Sequence, residues 1–217
     1  MKRILTLGST GFLAREFKSC EPAGWRSYGL SQRLNGTQVE ERMSSSSSYS
    51  IVPGSSYAGV VFFQGLPPRH TFGELDPVEI TDHFNAAIGL PTLVINNLMD
   101  HLTVGASVLF ISSTSILKGS YDPYYGAAQA AKIGLAASVQ RFRKDLRVNV
   151  IQCGLIENSP VHLEMTEDFR EMHRNANGGN SFVSARNVSS LAWHIIQNTD
   201  IRGAIIPIDG GLTGFGS

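Results

Sequence analysis

Short unbroken apolar runs alternate along the chain with longer stretches in which apolar positions recur at helical spacing. Short runs of this kind read as strands buried on both faces, and the longer stretches as amphipathic helices packed over them. Strands are predicted at residues 4–7, 25–30, 57–63, 106–111, 147–152 and 204–208. Helices are predicted at 12–18, 79–102, 125–143 and 188–197, with Pro91 kinking or restarting the second. Five consecutive serines at 44–48 read as a flexible surface loop, followed by a short strand over 49–52. Repeated βαβ units of this order predict an α/β fold: one Rossmann-type domain over residues 1–217, built on a doubly wound parallel sheet.

Composition narrows the partners. Eighteen Lys and Arg balance 18 Asp and Glu, so no global basic field attracts nucleic acid or anionic lipid. A small-molecule site is the expectation instead. No run approaches the ~18 apolar residues of a membrane span, and the opening MKRILTLG reads as a first strand rather than a signal peptide. Cys20 and Cys153 form no CxxC pair, which makes a reducing cytoplasm the expected compartment. His162, Glu164 and His173 lack metal-ligand spacing, so no metal site is expected. Arg141, Arg143, Lys144 and Arg147 read as the solvated end of the long helix.

The first chemical motif is the turn after the first strand, Gly8-Ser9-Thr10-Gly11-Phe12-Leu13-Ala14. Gly8 permits a sharp turn, and Gly11 lets backbone approach a pyrophosphate. The following helix offers unpaired N–H groups and its positive end to phosphate. Residues 8–13 are therefore the candidate cofactor cradle. After the second strand the chain presents Ser31 and Arg33 and no carboxylate, which favours NADP(H) over NAD(H). A merely solvated Arg33 is the alternative.

Further along, Ile111-Ser112-Ser113 closes a strand and Tyr125-Gly126-Ala127-Ala128-Gln129 opens a helix. With Asn85 upstream, Gly65 after Phe62-Phe63-Gln64, the Cys153-Gly154-Leu155-Ile156 turn and a late Asp209-Gly210-Gly211, the chain resembles the short-chain dehydrogenase/reductase family from residue 4 to 211. The resemblance implies that Ser113 polarises a carbonyl, Tyr125 passes a proton and Asn85 supports a relay water. It also implies cofactor contacts from Gly65, Tyr125, Gln129, Gly154, Leu155 and Ile156. It implies a substrate lid at about 156–182, where His162, Met165, Phe169 and Met172 would line a pocket and 175–180 form its flexible end. An amphipathic surface helix plus loop is the other reading of that segment. Finally, it implies a homodimer or homotetramer paired through the helices holding Asn85 and Tyr125.

One position departs from the family. Gln129 stands where a lysine follows tyrosine by four residues, so the site loses a cation that would favour the phenolate. Lys132 shares that helix face seven residues on, but it reads more readily as a solvated residue. The expected function is an NADP(H)-dependent oxidoreductase that reduces a carbonyl on a small organic molecule. The alternative is a catalytically degenerate relative that binds a dinucleotide as a structural or sensing ligand, or serves as a scaffold subunit. A sugar-nucleotide epimerase or dehydratase, suggested by the G-x-x-G-x-x-A spacing, is disfavoured by the short chain after Gly154.

Overall fold

Strands this apolar need cover on both faces, and a computed structural model describing residues 1–30, 55–69, 71–74 and 76–214 shows how they obtain it. The strands are β1 (Lys2–Leu7), β2 (Trp25–Leu30), β3 (Tyr57–Phe62), β4 (Leu102–Ser113), β5 (Arg147–Cys153) and β6 (Ile205–Ile208). They form one sheet in the order β2-β1-β3-β4-β5-β6. Every pairing is parallel. This is the doubly wound α/β architecture expected from the apolar pattern. The serine run, the strand expected at 49–52, and Ser31 and Arg33 lie outside the described residues.

Side chains alternate across the sheet and divide the core in two. Val60, Phe62, Val108 and Phe110 face one cluster with Val94 and Leu98 of α3 (Leu90–Leu98) and Val139 of the long helix α5 (Pro123–Phe142). Val61, Leu109 and Ile151 face the other, with Phe17 of α1 (Phe12–Ser19) and Trp193 of α8 (Ala185–Gln197). Phe17 stacks on Trp193 at 4.3 Å between ring centroids, tilted by only 6°. The Trp193 indole N–H donates to the Phe17 carbonyl at 2.9 Å, so this buried ring also satisfies its polar handle.

Three details differ from the sequence expectation, each for a physical reason. The helix expected over 79–102 divides into α2 (Pro77–Phe84), a π-helical turn (Asn85–Gly89) and α3, followed by a 3-10 turn (Met99–His101). Pro91 has no N–H to return to the preceding turn, and the ladder widens just before it, with Leu90 N–H reaching Asn85 O. The long helix begins at Pro123 because the Asp122 carboxylate caps it, accepting from Tyr125 N–H at 2.8 Å. Arg147 is a correction: it is buried rather than solvated. Its guanidinium donates to the carbonyls of Ile195, Ile196 and Asn198 at the end of α8 and to Gly105. A fork of fixed donors at a helix C-terminus satisfies carbonyls the helix leaves open.

Phe17 is fully buried and touches both Trp193 and Phe63. Phe17→Ala is expected to lower unfolding free energy by about 3–5 kcal/mol in urea titration with the m-value unchanged. A loss under about 1 kcal/mol would mean the α1–α8 seam is not part of the core.

Candidate functional site

In an open parallel sheet the chain leaves adjacent central strands in opposite directions, and the crevice outside their carboxyl ends is the place for a ligand. Here that switch lies between β1 and β3. The turn after β1 is pinned to β2, since Gly8 N–H donates to the Leu30 carbonyl at 3.0 Å. Gly8 holds φ +80°, and a Cβ there would stand 3.0 Å from the Gln64 nitrogen. Both facts call for glycine: the turn is left-handed and presses on the segment leaving β3. Gly11 closes the turn by donating to Gly8 O at 3.0 Å and then serves as the N-cap of α1. No side chain caps that helix, and its first turn carries no acid. The Ser9 side chain lies against Gly29 of β2 and Thr10 is exposed, while Phe12 and Leu13 supply the first helical N–H groups. A pyrophosphate fits such a cradle, because the helix end is positive and uncapped.

The opposite wall comes from the ends of β4 and β5 and the start of α5. Ser113 ends β4 in register with Cys153 on β5, and the short helix α4 (Ser115–Lys118) follows it. The Ser113 hydroxyl oxygen accepts from Ser115 N–H at 3.1 Å, which leaves its proton free to donate. Tyr125 stands in the first turn of α5, where the Asp122 cap fixes its backbone. The same carboxylate accepts from Arg69 N–H at 2.9 Å and so ties the loop after β3 to this helix start. Burial pushes the Tyr125 phenol above its ordinary value, while a hydrogen bond from Ser113 pulls the other way. Ser113 and Tyr125 therefore meet, and the phenol is neutral at pH 7.

Around this pair the expected residues take different roles. Asn85 is half-buried at the junction of α2 and the π-helical turn. Gln129 is buried, and its main-chain carbonyl accepts from the Ser112 hydroxyl at 3.0 Å. A Cβ on Gly65 would lie 3.2 Å from the Gln129 amide nitrogen and 3.6 Å from the Lys132 ammonium. Gly65, Gln129 and Lys132 thus converge on one point at the carboxyl end of β3. Lys132 is a second correction: it is 2% exposed rather than solvated. Gly154 leaves β5 by donating to Ile208 O at 2.9 Å, and Leu155 and Ile156 follow it. Asp209 is a turn-former. Its carboxylate accepts from Gly211 N–H and from both donors of Thr213.

Residues 156–183 leave and rejoin the body at one place. Ile156 bridges Val183, with Glu157 N–H donating to Val183 O and Val183 N–H to Leu155 O. Between them lie α6 (Pro160–Glu164) and α7 (Glu167–Ala176). His162 is buried against Phe182, whereas Met172 is exposed and Phe169 packs on Tyr121 at 5.3 Å. Two further residues belong to the neighbourhood and were not singled out from sequence. His83 presents its ring edge-on to Tyr124 at 5.1 Å and to Tyr125 at 6.4 Å, and burial lowers its imidazole below the usual value. Asp122 gave a readable signal, an acid directly before Pro123 at a helix start. Among the described residues no His, Cys, Asp or Glu cluster could hold a metal ion. No helix among them is long and apolar enough to cross a membrane.

Comparison with known proteins places this geometry in a class. Three solved structures superpose on almost the whole chain. One is a short chain dehydrogenase family protein from Francisella tularensis (TM-score 0.83, 15% identity, 98% of this chain and 99% of that one). Another is a small-chain dehydrogenase in complex with NADPH (TM-score 0.80, 18% identity, 98% and 99%). The third is a short-chain dehydrogenase/reductase from Serratia marcescens (TM-score 0.79, 14% identity, 98% of both chains). By sequence, the human 3-oxoacyl-[acyl-carrier-protein] reductase is 30% identical over 112 residues, which span 50% of this chain and 45% of that protein. No family model matches the chain. The protein has the short-chain dehydrogenase/reductase fold.

A neutral phenol on a half-buried side chain has a direct optical test. In an absorbance titration, Tyr125→Phe is expected to remove a tyrosinate step that lies above about pH 10. A step below about pH 9 that this substitution removes would show a stabilised phenolate instead.

Proposed function

We propose that this protein is an NADP(H)-dependent oxidoreductase of the short-chain dehydrogenase/reductase type that reduces a carbonyl on a small organic molecule. The observation that carries the reading is the meeting of Ser113 and Tyr125 across the crevice from the turn at residues 8–11. When bound, the reduced dinucleotide supplies the hydride. Residues 8–13 hold its pyrophosphate, while Gly65, Gln129, Gly154, Leu155 and Ile156 line the remainder of its path. The Ser113 hydroxyl donates to the carbonyl oxygen as negative charge develops there. Tyr125 then gives its phenolic proton to that oxygen, forming the alcohol, and is reprotonated from solvent. Asn85 supports the water through which that proton returns.

A phenol that stays protonated at neutral pH is a good donor and a poor base. Reduction is therefore the favoured direction. Preference for NADP(H) rests on Ser31 and Arg33 in the sequence, with the NADPH complex of a structural neighbour in support. Residues 156–182 act as the substrate lid, and a homodimer or homotetramer working in the cytoplasm completes the reading. The degenerate alternative draws on Gln129, the uncharged residue at the family's lysine position.

Fluorescence titration with NADPH and NADH, followed by a carbonyl-reduction screen, tests the assignment. Tyr125→Phe is expected to lower turnover by roughly 10²–10⁴-fold while leaving dinucleotide affinity within about threefold. Tight binding without turnover across the screen, not rescued by Gln129→Lys, would favour the degenerate relative. Arg33→Ala is expected to weaken NADPH about tenfold or more and NADH little, as loss of a 2′-phosphate partner requires.

A further inference from the structure

Lys132 is buried beside the crevice with only main-chain partners in view. Its ammonium donates to Gln64 O at 2.9 Å and to Ile111 O at 2.8 Å, carbonyls at the carboxyl ends of β3 and β4. An ammonium has three N–H donors, so one remains. Both it and the Gln129 amide approach the exposed Gly65. The side-chain amide of Gln64, next to Gly65, is buried with neither its nitrogen nor its oxygen hydrogen-bonded. Two side-chain donors, the Lys132 ammonium and the Gln129 amide, therefore converge on Gly65, and the residue before it carries an unpartnered amide.

Carbonyls satisfy hydrogen bonds but do not neutralise charge. The titratable group that bears on Lys132 is the Cys153 thiol at the end of β5, which burial pushes up to about 12 and keeps neutral. Tyr125, on the same helix, is neutral as well. Burial accordingly lowers Lys132 to about 7. Its folded value lies below its unfolded one. The associated stability is thus present above about pH 10.5 and is lost as pH falls through about 7. An anion arriving nearby reverses the shift.

We propose that Lys132 is the cationic anchor of this site. Its remaining N–H, beside the Gln129 amide over Gly65, takes an oxygen of the bound dinucleotide, and binding is accompanied by proton uptake at this ammonium. The inference rests on the dinucleotide reading and deepens it. The cation missing at position 129 enters one turn later, from position 132.

Calorimetry of NADPH binding in buffers of different ionisation enthalpy tests it. The wild type is expected to take up about half a proton or more per ligand near pH 8, and almost none below about pH 6, where Lys132 is already charged. A histidine would instead give its largest uptake near about pH 6.5. Lys132→Met is expected to abolish uptake and weaken NADPH about tenfold. Lys132→Arg, charged throughout, is expected to restore affinity without uptake. Binding with no uptake near pH 8, or uptake that survives in Lys132→Met, overturns the proposal and leaves the dinucleotide reading standing. Failure to bind either NADPH or NADH overturns both. Should Lys132→Met not fold, the pH profile of the wild type decides alone.

Discussion

A parallel sheet covered by helices on both faces leaves little lateral surface for a ligand, because its faces are buried and most of the side chains on them are apolar. Polar function is confined to the ends of the strands, where the chain turns and main-chain groups lose their ladder partners. In this protein that constraint organises the whole crevice. Gly8 follows β1, Gln64 and Gly65 follow β3, Ser113 ends β4, and Cys153 ends β5 with Gly154 after it. No single element builds the site. The sheet brings four strand ends to one edge, and α5 crosses that edge carrying Tyr125, Gln129 and Lys132 on one face.

What holds α5 in place is the carboxylate directly before it. Asp122 caps the helix and grips the loop after β3 through Arg69 N–H. The helix start, and with it Tyr125, is thereby referenced to the same loop that Gly8 touches. The two halves of the crevice share one fastening. Ser112 adds a second, binding the Gln129 carbonyl from the end of β4.

The apolar pattern made the sheet legible from sequence because buried parallel strands leave an unambiguous trace, and predicted strand 25–30 coincides with β2. Its blind spots were also physical. Unbroken helical periodicity over 79–102 conceals a π-helical turn, since widening by one residue scarcely disturbs which face is apolar. Arg147 and Lys132 look like surface cations by residue type, and only tertiary structure supplies the carbonyls that bury them. Spacing did put Lys132 on the Tyr125 face, but it carried no information about depth. Ser113 and Tyr125 were paired through the family resemblance, since their distance in sequence carries no sign that the sheet brings them together.

The seam between α1 and α8 has an optical consequence. The chain contains two tryptophans, and both lie in this seam: Trp193 stacks on Phe17, and Trp25 meets Trp193 edge-on at 5.8 Å. Phe17 belongs to α1, the helix that follows the Gly8–Gly11 turn. All of the tryptophan emission therefore originates from the packing that seats that helix. The protein has an intrinsic fluorescent gauge of whether α1 is docked, and no label is needed to read it.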